Sequence, residues 1–389
     1  MKVPIAKVNL TKNEINSVLE PLKNGWLVQG PIVREFEDKW SKFVGVNHSV
    51  AVTSCTSAMQ ISLSALGFSP GDEAIVPAFT WISTANVVEQ LGGKVVFCDI
   101  DLDTFNIDVD QIEEKISSKT KVILPVHLFG MPAGMKKIKG IAQKYNLKVI
   151  EDAACGFGSK INNQHVGSFG DVGCFSFHPR KAITTGEGGM VTTNNEELAE
   201  KIRVLRDHGA VVSDLQRHLG PKPYLLADHV EAGYNQRMTD IQAALGLAQM
   251  RRANDILNER AKIAEMYRFG LKDCKHVILP SQIDSYTNGY QSFPCVFNSM
   301  QLNYENVNEI EISRNAFMED LFKNGISTRP ATHSVVSLSY YKNKYKIKDK
   351  SFPKATLAAK ASFSLPLYNG MSKKEIDYVI NAVIKYFKL

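Results

Sequence analysis

Between residues 48 and 193 the chain alternates short apolar runs, rich in β-branched residues, with amphipathic stretches of helical period. No other feature restricts the fold so strongly. The runs fall at 48–53, 74–77, 94–99, 121–126, 148–152, 173–177 and 189–193. Such runs, bounded by turn residues, read as buried strands, and strands separated by helices read as βα units of a mostly parallel sheet. Helical patterns at 56–66 and 136–145 occupy two of the gaps, and Pro70-Gly71-Asp72 makes a turn between one helix and the next strand.

From 239 to about 269 an amphipathic stretch runs nearly without a breaker, opening on Thr239 or Asp240 as N-cap, and reads as one long helix able to join two domains. After it the pattern changes to strand-like 277–279 and 290–297, a helix over 311–324 and a closing helix over 373–387. The expected class is α/β: a large three-layer domain with a seven-stranded, mostly parallel sheet at 1–250, including an N-terminal arm, and a smaller C-terminal α+β domain at 251–389. A length of 389 residues agrees with roughly two to three domains.

Composition excludes several functions. With 44% hydrophobic residues the chain is not disordered, and its 46 Lys and Arg against 40 Asp and Glu are scattered, which argues against a nucleic-acid arm. The resulting +6 is compatible with phosphorylated or carboxylated small substrates and equally with an ordinary solvated surface. The six cysteines (Cys55, Cys98, Cys155, Cys174, Cys274, Cys295) form no C-x-x-C pair and no cluster with His, so neither a metal site nor a disulfide framework is expected. Reduced thiols, an N-terminus without an apolar core and the lack of a run of about 18 apolar residues point to a soluble cytoplasmic protein with no membrane partner.

In a parallel sheet wound by helices, ligands collect at the carboxyl ends of the strands. Three such places carry chemistry. Thr53-Ser54-Cys55-Thr56-Ser57-Ala58 is rich in hydroxyls, follows a strand and opens a helix, so free N–H groups and the helix dipole suit a phosphate there, although simple capping would use the same residues. Val149-Ile150-Glu151-Asp152 ends a strand on two carboxylates, which could hold a cationic ring nitrogen or lie solvated. Lys181 follows the strand Cys174-Phe175-Ser176-Phe177 and precedes the glycine-rich loop Gly186-Glu187-Gly188-Gly189. A lone lysine is a surface charge. An anion cradle, a carboxylate and an amine in this order are what pyridoxal phosphate requires: a phosphate site, a partner for the pyridinium nitrogen and a lysine to form the Schiff base.

These residues sit within a longer set of motifs: Gly30-Pro31 with Phe36-Glu37, Pro70-Gly71-Asp72-Glu73, Thr80-Trp81-Ile82-Ser83-Thr84-Ala85-Asn86, Val126-His127-Leu128-Phe129-Gly130, Glu151-Asp152-Ala153-Ala154, the segment 176–189, Gly233-Tyr234-Asn235-Gln236-Arg237 and Leu365-Pro366-Leu367-Tyr368. The chain resembles, over nearly its whole length, the DegT/DnrJ/EryC1/StrS sugar aminotransferases, fold type I pyridoxal phosphate enzymes of aspartate-aminotransferase-like architecture. The resemblance implies pyridoxal 5'-phosphate as cofactor, Lys181 as the residue that carries it and Asp152 as partner of its ring nitrogen. Trp81 would stack on the ring, Thr56, Ser57 and Ser176 would hold the phosphate, and Asn235 would reach it from the other subunit of a homodimer with shared active sites.

Two departures from the family stand out. Ser54-Cys55-Thr56 replaces a common Ser-Gly-Thr, and Cys155 stands where relatives place Gln or His, so two thiols are expected beside the cofactor. Lys181 is expected to be neutral in order to shuttle a proton, its pKa lowered by burial and the adjacent cofactor.

The resemblance further implies transamination from an amino acid, glutamate by family, to a keto sugar, nucleotide-linked in most relatives, for surface polysaccharide or lipopolysaccharide. Alternatives are a non-nucleotide acidic keto sugar such as oxidised 3-deoxy-octulosonate, a pyridoxal phosphate dehydratase, and a regulator without turnover. The presence of Lys181 opposes the dehydratase, in which histidine replaces it. Arg329 and His333 lie where relatives approach the sugar, and Trp26, in the segment 26–31, is expected to line the same pocket.

Overall fold

A computed structural model describes residues 1–212, 224, 226–348 and 350–388. The first part of the chain forms α1 (Lys12–Ser17), α2 (Leu19–Asn24), α3 (Pro31–Val44), β1 (His48–Val52), α4 (Cys55–Ala65), β2 (Glu73–Pro77), β3 (Phe79–Thr80), α5 (Ser83–Gln90), β4 (Lys94–Cys98) and β5 (Thr120–Ile123). There follow α6 (Met135–Tyr145), β6 (Lys148–Asp152), β7 (Lys160–Ile161), β8 (Gln164–His165), β9 (Val172–Ser176), β10 (Gly189–Thr193) and α7 (Glu196–Arg206). All seven expected strands join one sheet of order β1-β10-β9-β6-β5-β2-β4. Strands β9, β6, β5, β2 and β4 pair in parallel, whereas β10 runs antiparallel to both β1 and β9.

The strands read as apolar runs because the sheet is buried on both faces. On one face Val50, Val52, Val76, Val122, Ile150 and Val191 pack with Ala58, Met59 and Ile61 of α4. On the other, Ala51, Phe175 and Met190 pack with Phe36 and Trp40 of α3, where Trp40 meets Phe175 edge-on at 5.1 Å between ring centroids.

The stretch expected as one long helix is two: α8 (Asp240–Met250) and α9 (Ala253–Leu271). No proline or glycine marks the break. It falls at Arg251 and Arg252, where Arg252 leaves helical geometry (φ −115°, ψ 25°) and its guanidinium is taken by Glu14 Oε1 at 2.5 Å and by Asn9 O at 2.7 Å. Thr239 caps α8 in a capping box with Gln242. Asp240, the other cap candidate, instead accepts bonds from the N–H groups of Gly30, Ile32 and Val33 and so caps α3. Gly30 is required there, since a Cβ would lie 1.9 Å from Trp26 Nε1.

The rest of the chain contributes β11 (Val277–Ile278), β12 (Tyr286–Thr287), β13 (Phe293–Phe297), α10 (Val307–Lys323), β14 (His333–Ser334), α11 (Ser339–Tyr345), α12 (Pro353–Ala361), β15 (Ser362–Leu365) and α13 (Lys373–Tyr386). A sheet of order β11-β13-β15 carries a second core of Tyr267, Phe293, Phe317, Phe363 and Val383. Contacts cross residue 250 in both directions. Val3 is buried in that second core through backbone bonds to Gly325 and Ser327, while Val335, Tyr341 and Ala355 pack into the core of the large sheet. Strand β14 pairs with β3, placing His333 opposite Thr80.

Candidate active site

The registers of the large sheet set the site. Val52 pairs with Gly189, Gly189 with Ser176, and Asp152 with Cys174, so the carboxyl ends of β1, β9 and β6 and the start of β10 meet at one edge. Gly189 permits the close approach: a Cβ would stand 2.4 Å from Ser54 C and O and 2.7 Å from Cys55 N. Ser54 is the N-cap of α4, its Oγ accepting from Ser57 N at 3.0 Å, with Thr53 Oγ1 and Ser57 Oγ 2.9 Å apart. Thr56 and Ser57 thus lie in the first turn of an 11-residue helix whose positive end faces the sheet edge.

Asp152 closes β6 and is 3% exposed. Oδ2 accepts the hydroxyl of Thr84 at 2.8 Å and Oδ1 accepts Ala154 N at 3.1 Å, with the Cys55 thiol 3.9 Å away. Among the described residues this carboxylate has no ion pair. Glu151, its neighbour, points into the other face and is anchored there: His127 Nε2 lies 2.8 Å from Oε2, and the N–H groups of Gly167, Phe169 and Gly170 donate to the same carboxylate. Ala133 N donates to His127 Nδ1, which leaves the ring proton on Nε2 facing Glu151. Burial pushes the Glu151 pKa up, but His127 and these backbone donors outweigh it, and the carboxyl lies below its ordinary range. Of the two adjacent acids, only Asp152 faces the sheet edge.

Lys181 lies in the loop after β9, its backbone N–H bonded to His178 O. It lines one small cavity with Ala154, Cys155, Ser176 and Gln291, and Nζ stands 3.2 Å from Cys155 Sγ. Both departures from the family pattern are therefore at the site, with Cys55 against Asp152 and Cys155 against Lys181. Of the two causes expected to depress the Lys181 pKa, burial acts in the expected sense. Desolvation pushes it down, yet Cys155 in contact and the Asp152 carboxylate outweigh burial and hold it above the ordinary lysine value.

Trp81 is 57% exposed and joins the cluster through its carbonyl, which accepts from Thr84 N at 3.3 Å. Its ring meets His333 edge-on at 5.6 Å, an arrangement fixed by the β3–β14 pairing. Other candidates stand apart. Arg329 is exposed and bonds Thr328 O; Trp26 bonds Gln29 O; Asn235 is exposed and bridges Asp207 through its backbone. Neither Arg329 nor Asn235 is bonded to another candidate among the described residues. The segment after Asn235 does touch the cradle, since Gln236 O accepts from Thr53 N.

Sequence reasoning missed Thr84, the residue that ties Asp152 to Trp81. The signal available was spacing, since Thr80 and Thr84 lie four apart and face one side of the turn that opens α5.

The donor set suits pyridoxal phosphate. A buried carboxylate with no ion pair in contact among the described residues accommodates a cationic partner, because an unpaired charge in a dry site is costly. Asp152 supplies that demand, the α4 N-terminus supplies an anion site, and Lys181 supplies the amine.

A family model described as the DegT/DnrJ/EryC1/StrS aminotransferase family matches residues 8–384. The chain belongs to this family and is an aminotransferase. It is 36% identical over 382 residues to the spore coat polysaccharide biosynthesis protein SpsC of Bacillus subtilis, spanning 98% of this chain and 96% of that one. It is 31% identical over 387 residues to the GDP-perosamine synthase of Vibrio cholerae, spanning 99% of each. The fold matches the PLP-form of Spr1654 from Streptococcus pneumoniae with a TM-score of 0.90 and 28% identity, over 100% of this chain and 99% of that one. No helix among the described residues is long and apolar enough to cross a membrane.

Proposed function

We propose that this aminotransferase uses pyridoxal 5'-phosphate to move an amino group from L-glutamate to the keto group of a nucleotide-linked sugar, as a homodimer, in the synthesis of a surface polysaccharide. The observation that carries the reading is Asp152, buried and in no ion pair among the described residues, at the same sheet edge as Lys181 and the α4 N-terminus. The cofactor is supported by the PLP-form of a protein of the same fold, the nucleotide by the name GDP-perosamine synthase, and the product class by SpsC.

Pyridoxal phosphate, when bound, supplies an aldehyde that exchanges an amino group and a ring that takes up the electron pair left when a Cα–H bond breaks. Asp152 keeps the ring nitrogen protonated by ion pairing in a site where water competes little. Thr56, Ser57 and Ser176 would hold the phosphate, and Trp81 would stack on the ring. Lys181 Nζ takes the proton from the donor's α carbon and returns it on the opposite side of the exchange, so its amine must be free of its own proton at that moment.

The test is spectroscopic. Protein reconstituted with pyridoxal phosphate should be yellow, and glutamate alone should bleach it with release of one 2-oxoglutarate per site. Subsequent addition of a nucleotide-linked 4-keto sugar should restore the colour. Lys181→Ala should fold and show no turnover. No bleaching with any amino acid would overturn the reading, and colour restored only by a nucleotide-free keto acid sugar would move the acceptor to that class.

A further inference from the structure

We infer that Cys155 and Lys181 form a modification site, in which peroxide oxidation of the Cys155 thiol is followed by condensation with the Lys181 amine to a reversible sulfenamide cross-link. The two atoms that would bond, Sγ and Nζ, already stand 3.2 Å apart on the wall of one small cavity. The rest of the thiol inventory makes the pair selective. Cys55, Cys98, Cys174 and Cys295 are buried, whereas Cys155 and Cys274 are partly exposed. Burial pushes the Cys55, Cys174 and Cys295 thiols far up and Cys98 up to about 12, which leaves them protonated and unreactive. Cys274 has no lysine amine bonded to it among the described residues. Among the described residues, only Cys155 combines access with an amine in contact.

The chemistry balances with hydrogen peroxide as the oxidant. Sγ attacks the peroxide, the O–O bond breaks, one water leaves, and sulfur is oxidised by two electrons to the sulfenic acid as the peroxide is reduced. Lys181 gives up a proton to solvent, Nζ attacks Sγ, the S–N bond forms, the S–O bond breaks and a second water leaves. A dithiol reverses the step, returning thiol and amine as it is itself oxidised to a disulfide. Because Lys181 holds its proton above the ordinary lysine range, the condensation should quicken as pH rises.

The functional consequence rests on the assignment of Lys181 to the cofactor: an amine bonded to Cys155 cannot carry pyridoxal phosphate, so oxidation would lock the enzyme out of its holo form until reduced.

The experiment treats the full chain, stripped of cofactor and, in parallel, saturated with it, with hydrogen peroxide, and reads intact mass and tryptic peptides. The expected result in the stripped protein is a loss of about 2 Da, a cross-linked peptide containing both Cys155 and Lys181, and full reversal by dithiothreitol. Cys155→Ser and Lys181→Arg should each abolish that peptide. Cys155 found as sulfinic acid with Lys181 free, Cys155 joined to Cys55 with the same mass change, or Cys155 unmodified would each overturn the proposal. Saturation with pyridoxal phosphate should prevent the cross-link. If the peptide forms equally in both arms, the modification stands and the assignment of Lys181 to the cofactor falls, so the two failures are distinguishable.

Discussion

Asp152 is held by a neighbour 68 residues away: Thr84 Oγ1 donates to Oδ2 at 2.8 Å and lies 3.3 Å from Thr80 Oγ1, while Thr84 N donates to Trp81 O at 3.3 Å. The hydroxyl fixes the carboxylate plane, and the Thr84 N–H fixes, through the Trp81 carbonyl, the start of the segment bearing the aromatic plate, so Thr84 acts as a positioning residue. A hydrogen bond to a charged acceptor contributes about 1.5–3 kcal/mol, and Thr84→Val should lower kcat/KM by roughly ten- to a hundredfold. Thr84→Ser should recover most of the loss, because it keeps the donor. A valine variant with unchanged cofactor affinity and unchanged kcat/KM would show that Asp152 is oriented without it. Lys181 and Asp152 were legible in sequence because each follows an apolar run, where a doubly wound sheet exposes its site. Thr84 was not, since its partner is distant in sequence and the same hydroxyl reads equally as a helix cap.

Among elements, the seven strands were legible because burial on both faces writes itself as continuous apolar runs. The break between α8 and α9 was not, because it is imposed by Glu14 and Asn9 from far up the chain rather than by a local breaker. The short strand β8 shows how an element's packing fixes pH dependence. His165 lies in it between Phe43 and Phe175, at 5.3 and 5.9 Å, accepts Gly158 N at Nε2 and faces Val166 O through Nδ1. Desolvation lowers its pKa from 6.5 to about 4, so folding favours the neutral ring. The unfolded chain binds the proton first as pH falls. The stabilisation is therefore complete above 6.5 and is lost toward 4, on the order of 3 kcal/mol at about 1.36 kcal/mol per pH unit. Urea unfolding across this window should show the decline, and His165→Asn should be less stable at neutral pH with a flatter slope. Glu151 cannot mimic it, because a carboxyl lowered below 4.5 loses its contribution only under more acid conditions. An unaltered slope in the variant would assign the decline to other groups.

At the scale of the whole molecule, Ile15, Leu19, Leu22, Leu27 and Val28 remain 43–55% exposed along α1, α2 and the loop that follows. Aliphatic side chains gathered in so short a stretch favour association, since each left in water forfeits the transfer energy of its buried counterpart. The stretch runs directly into Gly30, which is bonded to Asp240 at the head of α8, and α8 begins five residues after Asn235. An interface formed here would therefore be coupled through a few bonds to the segment whose Gln236 carbonyl holds Thr53 at the phosphate cradle. Asn235, exposed within one chain and proposed to serve the site of the other, gives the assembly a catalytic reason to exist. Light scattering should accordingly return twice the chain mass. The double variant Leu19→Asp, Leu22→Asp should shift the protein toward monomer and reduce specific activity as the concentration is lowered, while Asn235→Ala should weaken cofactor retention without changing the mass. Mixing Asn235→Ala with Lys181→Ala should restore part of the activity, because a mixed dimer holds one site with both residues intact. A fully active monomer, or no recovery on mixing, would place Asn235 in its own chain's site or outside the site altogether.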